Sequence, residues 1–556
     1  MCLKKNVTAT ATKIDFRMKK NQRLLFFSLS VLSSLLLSLA WPVSPLFPLI
    51  FIGFVPLLYI NEQLGAERLK LWSFAWPIYS ALLLFNACTT WWVWNSTPPG
   101  ALFMLFANAA LMLIPWLAYR FTTYRMKMVW WSHFSIVPYF IAFEYWHLNW
   151  ELSWPWLTLG NSAALFPEVV QWYEYSGVLG GSFWILISNV LAFLCYVYYK
   201  TKPLRFRSLC YVTLSVILLP ALYSYLRYLT YEEQGKGKEI VVVQPNVDPY
   251  TQKYPGTKNF IPYDEQYKRL QQLSEDAMGS NTDFVLWPET SFPDDIVEDS
   301  DTAKLFAGNA LFTELARFVN KHPTTAFVIG ADSYRFFPSA KTDEGIAYPT
   351  QNPTVFYTPY NTGLFLEKGK TPLFYHKSKL VPGVEVLPYP EVLGFVTSGL
   401  GDMVVASVGR QKLRTPFKKM DSTSIAPIIC YESIYGEFLG EYVKNGAGLI
   451  FIITNDAWWG NTAGHKQHFH YARLRAVEQR KCVARAANTG ISGFINQRGD
   501  VIDQSNYDEQ RTMRHTLLYY PKPTLYTLTG DLSGPVALIA TLIFMIFGIV
   551  GKKTHE

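Results

Sequence analysis

Three residues of different chemistry stand where apolar runs give way to loops. FVLWPET delivers Glu289, LFYHKSKLVP delivers Lys377 with Lys379 behind it, and IAPIICYES delivers Cys430. A free thiol has a pKa near 8.5 and is mostly protonated at neutral pH, so its use as a nucleophile needs a nearby base. A carboxylate can serve as that base. A fixed ammonium can lower the thiol pKa and stabilise the oxyanion that forms when sulfur attacks a carbonyl. A sharp strand-to-helix turn at Cys430 would expose its sulfur and offer backbone N–H groups to the same oxyanion, as in a nucleophile elbow with Cys in place of Ser. No histidine is required, which separates this set from Cys–His proteases. Taken singly, each residue has an ordinary reading. Glu289 and Lys377 would be solvated in loops, and Cys430 would be a core residue or half of a disulfide with Cys482. The three types together at strand ends point to chemistry. Glu432, two residues past the thiol, keeps two readings open: an acid orienting Lys377 or Cys430, or a cap on the helix after the elbow.

The elements that must position these groups begin near residue 239. EIVVVQPNV, DFVLWPET, TAFVIGADSY, NPTVFYTPY, IAPIICYES, AGLIFIITND and ISGFINQRGDVI read as strands, β-branched and bounded by turn residues. Helical patterns are expected at about 263–278, 302–321 and 464–486, the last carrying Cys482 as a structural residue. This alternation predicts an α/β domain with helices packed on sheets. In such sheets reactive groups gather past the carboxyl ends of strands. The six cysteines are scattered singly, with no CxxC or Cys/His spacing, so neither a metal nor a cofactor is expected.

The N-terminal part has a different character. Half of all residues are hydrophobic and only 17% are charged, below the roughly 25% usual for soluble domains. Runs long enough to cross a bilayer lie at roughly 24–40, 43–60, 71–91, 101–119, 128–147, 176–199, 208–229 and 532–551, which makes eight. Trp41-Pro42, Pro45 and Pro48 predict a tight hairpin between the first two. Basic residues alternate along the chain. They crowd the tail before the first span, recur as Arg68 and Lys70, as Arg120, Arg125 and Lys127, as Lys200, Lys202, Arg205 and Arg207, and as Lys552 and Lys553. The loops at 92–100 and 148–175 have none. That places both termini in the cytoplasm and 230–530 outside. The expected domains are a basic tail at 1–23, a seven-helix membrane domain at 24–230, a catalytic domain at 231–530, and a last span with its tail at 531–556. The Leu/Ser-rich run ending Ser38-Leu39-Ala40 leaves a cleavable signal peptide as an alternative. The net charge of +8 follows from topology. The outer domain has no basic stripe, so nucleic acid is not an expected partner.

These motifs resemble the carbon-nitrogen hydrolase (nitrilase) superfamily, whose members carry a Glu-Lys-Cys triad on an αββα sandwich. WPET is similar to its glutamate motif, YHKSKLVP to its lysine motif and ICYES to its cysteine motif. The intervals of 88 and 53 residues between the three also fit. TNDAWWG, the QH at 467–468 and ARLRAVEQRKCVARAANTGISGFINQRG resemble the superfamily's membrane branch, which acylates bacterial lipoproteins through a catalytic domain set between the seventh and eighth spans. The chain departs from that branch at 381–385, reading VPGVE where V-P-F-G-E is usual. The resemblance implies a nitrilase-like αββα sandwich inserted in a membrane domain of about eight helices. It also implies Glu289 as general base, Lys377 at the oxyanion and Cys430 as nucleophile, with Glu385, Glu432 and Tyr431 in support. A phospholipid acyl donor, a diacylated apolipoprotein acceptor and a location in the bacterial inner membrane follow from it, and a monomer is the expected state.

Trp458, Trp459, Tyr389 and Phe292 are candidates for lids or substrate contacts, with ordinary packing or a membrane-interface belt as the alternative. Arg473, Arg475 and Arg485 would attract phospholipid headgroups or lie on a solvated or salt-bridged helix face. Two rivals stay open: a membrane-tethered amidase that releases its acyl group to water, and an inactive membrane binding or transport protein. The second predicts lost triad residues, and charges within the spans, where Glu144 is the main one.

Overall fold

The computed structural model describes residues 20–66, 69–298, 309–342, 345–389 and 407–550. Several expectations fall outside them: the basic tail through residue 19, Arg68, residues 302–308 of the second expected helix, and Lys552 and Lys553.

Among the described residues, seven helical segments are long and apolar enough to cross a membrane. They are α1 (Lys20–Leu39), a segment over Phe47–Leu64 ending in α2 (Val55–Leu64), one over Leu71–Asn95 built on α3 (Leu71–Thr90), α4 (Pro98–Arg125), then α6 (Tyr173–Tyr198), α7 (Pro203–Thr230) and a last helix at Ser533–Val550. The stretch expected to span at 128–147 is built differently. A tight turn of helix at Trp130–Ser135 runs into the twelve-residue α5 (Ile136–His147). This stretch is not among the seven segments long and apolar enough to cross. α1 belongs to the bundle: its buried Ser30 Oγ donates to Pro77 O, and its Ser33 Oγ donates to Gly53 O.

The C-terminal part is two sheets face to face. The first contains β1 (Lys236–Gln244), β2 (Phe284–Leu286), β3 (Ala326–Phe337), β4 (Phe356–Leu366) and β5 (Leu373–His376), with β11 (Arg511–Tyr519) on its far edge. The second runs β6 (Ser424–Ile429), β7 (Leu449–Thr454), β8 (Val483–Ala487), β9 (Gly493–Ile495) and β10 (Val501–Gln504). β1–β2–β3 and β6–β7–β8 are parallel, so their carboxyl ends lie together. The period-2 rule divides β1 cleanly. Ile240 and Val242 join the core between the sheets, where Phe284 meets Phe451 edge to face. Val241 and Val243 face the other way, into a cluster with Tyr267 and Leu270 of α8 (Tyr263–Ala277) and Phe312 and Leu315 of α9 (Ala310–Lys321). Beyond the second sheet lie α10 (Gly436–Lys444) and α11 (Ala463–Gln479). The result is an αββα sandwich.

The helix expected at 464–486 is corrected. It stops at Gln479, with Arg480 left-handed (φ 51°) as its cap, and residues 483–487 form the central strand β8. Cys482 therefore sits at the foot of a strand, and both it and Cys430 are free thiols.

α11 also joins the two parts of the molecule. Gln467 accepts from Trp156 Nε1 and donates to Pro42 O, and Tyr471 accepts from Trp41 Nε1. Glu478 takes the N–H of Val178. Flanked by the sheet and the membrane helices, α11 is buried on nearly all sides.

Candidate active site

The three residues singled out by type converge. Glu289 leaves β2 in a loop that lies against β3. The approach is so close that a Cβ on Gly330 would sit 2.5 Å from Glu289 Cα. Lys377 follows β5 directly, its N–H held by Asn361 O at 2.9 Å. Its Nζ donates to Glu289 Oε1 at 3.0 Å and to Glu385 Oε1 at 2.6 Å, while the side chain is 1% exposed. Burial would depress this ammonium, but the flanking carboxylates hold it well above the ordinary lysine value. VPGVE closes a tight turn. Gly383 adopts φ 77°, which glycine takes freely, and Val381 N–H donates back to Glu385 Oε2 at 2.8 Å. The altered motif thus still delivers its acid to the lysine.

Cys430 has φ 50°, a left-handed backbone at the junction of β6 and a tight helical turn over Cys430–Ile434. For a residue with a side chain this costs of order 1–3 kcal/mol and must be held by its surroundings. Ser433 Oγ donates to Cys430 O at 2.8 Å, and His468 Nε2 lies 3.2 Å from the same oxygen. The thiol is pushed up by burial and by the negative charge of Glu289, against the opposing pull of Lys377. It rests as S–H and needs a base.

Glu432 is fully buried and faces four donors. Ile429 N–H reaches Oε2 at 2.9 Å, while Tyr375 O–H and Ser378 N–H both reach Oε1 at 2.6 Å and Lys379 N–H reaches it at 3.3 Å. It bonds the turn at the elbow through Ile429 and the backbone beside Lys377 through Ser378 and Lys379. Tyr431 points toward the membrane domain, its hydroxyl donating to Ser153 O at 2.8 Å.

The residue types alone did not single out several neighbours. Asn361 Nδ2 donates to Glu289 Oε1 at 2.8 Å, and Asn455 N–H donates to Glu289 Oε2 at 3.0 Å, so the carboxylate is gripped from three sides. Beneath the elbow, Asp456 accepts from Arg485 at 2.7 Å and lies 3.0 Å from His468, all three fully buried. The TND run at the end of β7 was the visible signal for Asn455 and Asp456; Asn361 had none.

Of the alternatives for the arginines, the ion-paired one holds for two of them. Arg485 pairs with Asp456 and Arg475 with Glu478 at 2.8 Å, each pair with 0% side-chain exposure, so neither faces headgroups or solvent, and Arg485 lies on β8 and not on a helix. Arg473 donates to the carbonyls of Leu165 and Gly499. Phe292 is 2% exposed and packs on Tyr267 and Phe312, which makes it core and no lid. Trp459 is wedged against Trp92 and Trp156 of the membrane domain. Trp458 meets Tyr250 edge to face. Tyr389 is 38% exposed, and its N–H donates to Glu151.

A sheet sandwich carrying a glutamate, a lysine and an elbow cysteine defines a carbon-nitrogen hydrolase type of catalytic unit, and the Carbon-nitrogen hydrolase family model matches residues 262–518. The membrane helices match the Apolipoprotein N-acyltransferase N-terminal domain over residues 33–191. Relatives align from end to end. The apolipoprotein N-acyltransferase of Chlorobaculum tepidum is 28% identical over 95% of this chain and 97% of its own. That of Geobacter metallireducens is 25% identical over 95% and 96%. Among solved structures, Saccharomyces cerevisiae Nit3 aligns with TM-score 0.36 and 15% identity, covering 53% of this chain and 94% of that one. With both domains matched in this order, the chain is similar from end to end to apolipoprotein N-acyltransferases, and it is an acyltransferase.

Proposed function

We propose that this chain transfers an acyl group from a membrane phospholipid to the α-amine of an S-diacylglyceryl cysteine at a lipoprotein N-terminus, through a thioester on Cys430. The observation that carries this reading is the buried Glu289–Lys377–Glu385 cluster facing a left-handed elbow cysteine. In the first step Glu289 takes the Cys430 proton as sulfur bonds the sn-1 ester carbonyl, and Lys377 stabilises the oxyanion. Collapse expels the lysophospholipid alkoxide, which takes the proton back from Glu289, and leaves the acyl thioester. In the second step the lipoprotein amine attacks the thioester and gives a proton to Glu289. The thiolate leaves and is reprotonated, and an amide remains. A base is needed because the thiol is held in its protonated form by burial. Docking of the elbow on the membrane domain supports lipid-anchored substrates, since Tyr431 and Tyr435 both bond Ser153 between α5 and α6. The alternation of basic loops supports a cytoplasmic-membrane location with the catalytic domain on the outer side.

The test incubates purified protein with phospholipid labelled on the sn-1 acyl chain. A hydroxylamine-labile adduct on Cys430 is expected, and it should discharge onto a diacylated lipopeptide. No adduct, or one that persists in Cys430→Ala, would overturn the thioester. Discharge to water with lipopeptide present would make the chain a hydrolase.

A further inference from the structure

Along α6 runs an open groove of about 530 Å³, lined also by α7 and by Ser533 at the start of the last helix. That volume falls within the roughly 300–1,000 Å³ of pockets that hold a small molecule. Ser176 and Gly180 of α6 and Ser215 of α7 leave the room, and Trp172, Phe183 and Leu219 give the groove its apolar walls. Both helices are interrupted beside it. α6 breaks at Gly177 (φ 61°), and α7 contains Pro220, which has no N–H to offer the carbonyl of Val216. Trp184 Nε1 donates to that carbonyl at 2.7 Å, so the acceptor freed by Pro220 is satisfied from the facing helix. Elsewhere α7 is thinly covered: of its 28 residues only Thr213 and Ser224 are buried.

Length and polarity say what fits. From Ser176 to Ile187 the groove follows α6 for about 16 Å at 1.5 Å per residue, half of a hydrocarbon core about 30 Å thick. It lies in the half nearer the catalytic domain, since α6 begins and α7 ends against the loop at 496–500. Gln171 Nε2 donates to Arg498 O at 2.9 Å, and Tyr228 O–H donates to Asp500 Oδ1 at 2.8 Å. Toward that end the lining turns polar in steps. The exposed hydroxyls of Tyr175 and Tyr223 meet at 3.1 Å across the two helices, at the level where phenols sit in a bilayer interface. One turn further stands the guanidinium of Arg227, 34% exposed, with Nε given to Glu174 at 3.0 Å. Apolar wall, hydroxyl and cation follow one another in the order of acyl chain, glycerol ester and phosphate.

We propose that this groove binds one acyl chain of a glycerophospholipid from the leaflet nearer the catalytic domain, with its ester at Tyr175 and Tyr223 and its phosphate at Arg227. The site is separate from the elbow. Val178, whose N–H goes to Glu478 of α11, stands on the opposite side of α6 from Ser176 and Gly180 at 3.6 residues per turn. The bound lipid is therefore a resident one that braces α7 against α6, not the acyl donor, and the site does not depend on the acyl-transfer reading.

The test uses full-length Cys430→Ala protein, so that no label arrives by turnover, in vesicles of phosphatidylethanolamine and phosphatidylglycerol. Trace phosphatidylethanolamine carries a diazirine on its sn-2 chain, and peptide mapping follows irradiation. Label is expected to concentrate on Phe183, Ile187 and Leu219, above the exposed Ile543 and Ile546 of the last helix. Ser215→Trp fills the groove and should abolish that excess, whereas Leu214→Trp, on an exposed face of α7 outside the lining, should keep it. Label spread evenly over α7 and the last helix, or an excess untouched by Ser215→Trp, would make the groove ordinary lipid-facing surface and overturn the site. Cross-links from groove residues to a second copy of the chain would overturn it in favour of a helix interface. A diacylglycerol with the same diazirine tests the phosphate contact. It should label the groove less than the phospholipid does, and the difference should vanish in Arg227→Gln. Equal labelling of the Arg227 protein by both lipids would remove Arg227 from the site.

Discussion

Glu432 accepts the backbone N–H of Ser378 at 2.6 Å, so the residue two past the cysteine holds the residue one past the lysine. The same carboxylate closes the elbow through Ile429 N–H. Two loops from different sheets are thereby fixed to each other by one side chain. All four groups around it are donors, which a carboxylate satisfies and an amide does not. Glu432→Gln leaves at least one buried donor facing an N–H, a loss of about 1–3 kcal/mol. Thioester formation should fall roughly 5- to 150-fold by the same energy, with phospholipid KM little changed, and the melting temperature should drop. Single-turnover acylation and a thermal melt check both.

The resting state of Cys430 can be read by alkylation. Burial and then the Glu289 charge push the thiol up, so no thiolate is stored. Iodoacetamide labelling without lipid should be slow at pH 7 and rise about tenfold per pH unit through pH 9, as expected for a thiol still far below its pKa. Lys377→Met removes the one opposing charge and should slow labelling at every pH. A plateau by pH 8 would reveal a stored thiolate and remove the need for Glu289 as base.

Much of this site was legible because its chemistry sits at strand ends. Strands such as AGLIFIITND announce themselves by β-branched runs; Glu289 and Cys430 follow strands read that way, whereas Lys377 follows the short run LFYH, which has no β-branched residue. β8 was hidden for a local reason. VARAA is rich in alanine, it continues the helical periodicity of α11, and no glycine or proline marks the stop, because Arg480 takes the left-handed cap itself. The burial of Arg475 and Arg485 was equally hidden. Charge patterns along one helix look solvated, and only the packing of α11 between sheet and membrane domain places Glu478 and Asp456 around them.

The Asp456–Arg485 pair beneath the elbow makes a stability prediction with a definite sign. Burial would raise the Asp456 carboxyl, but Arg485 and His468 hold it well below the usual carboxylate range. A depressed folded pKa adds stability that is complete above the unfolded value of about 3.9 and is lost as pH falls through the lower folded value. Between pH 5 and 8, then, this pair should contribute a constant amount, which chemical denaturation at both ends of that window can measure. Arg485→Met strands a buried carboxylate and should cost about 3–5 kcal/mol. Asp456→Asn and Arg485→Met together should cost less than the sum of the two singles.

Behind Glu289 lies a strap that no motif marks. Lys253 is 6% exposed, and its Nζ donates to Thr290 Oγ1 at 2.6 Å. Thr290 directly follows Glu289 and has φ 46°, a left-handed backbone that a β-branched residue strongly resists. Lys253 thus holds a strained residue whose relaxation would swing the Glu289 carboxylate away from Asn361 and Lys377. Lys253→Met should lower kcat about tenfold, equivalent to about 1.4 kcal/mol, with lipopeptide KM nearly unchanged. Glycine accepts positive φ at little cost, so Thr290→Gly in the Lys253→Met background should recover most of the lost rate. If the double variant is as slow as Lys253→Met alone, strain at Thr290 is not what Lys253 controls, and its charge near Glu289 must be doing the positioning instead.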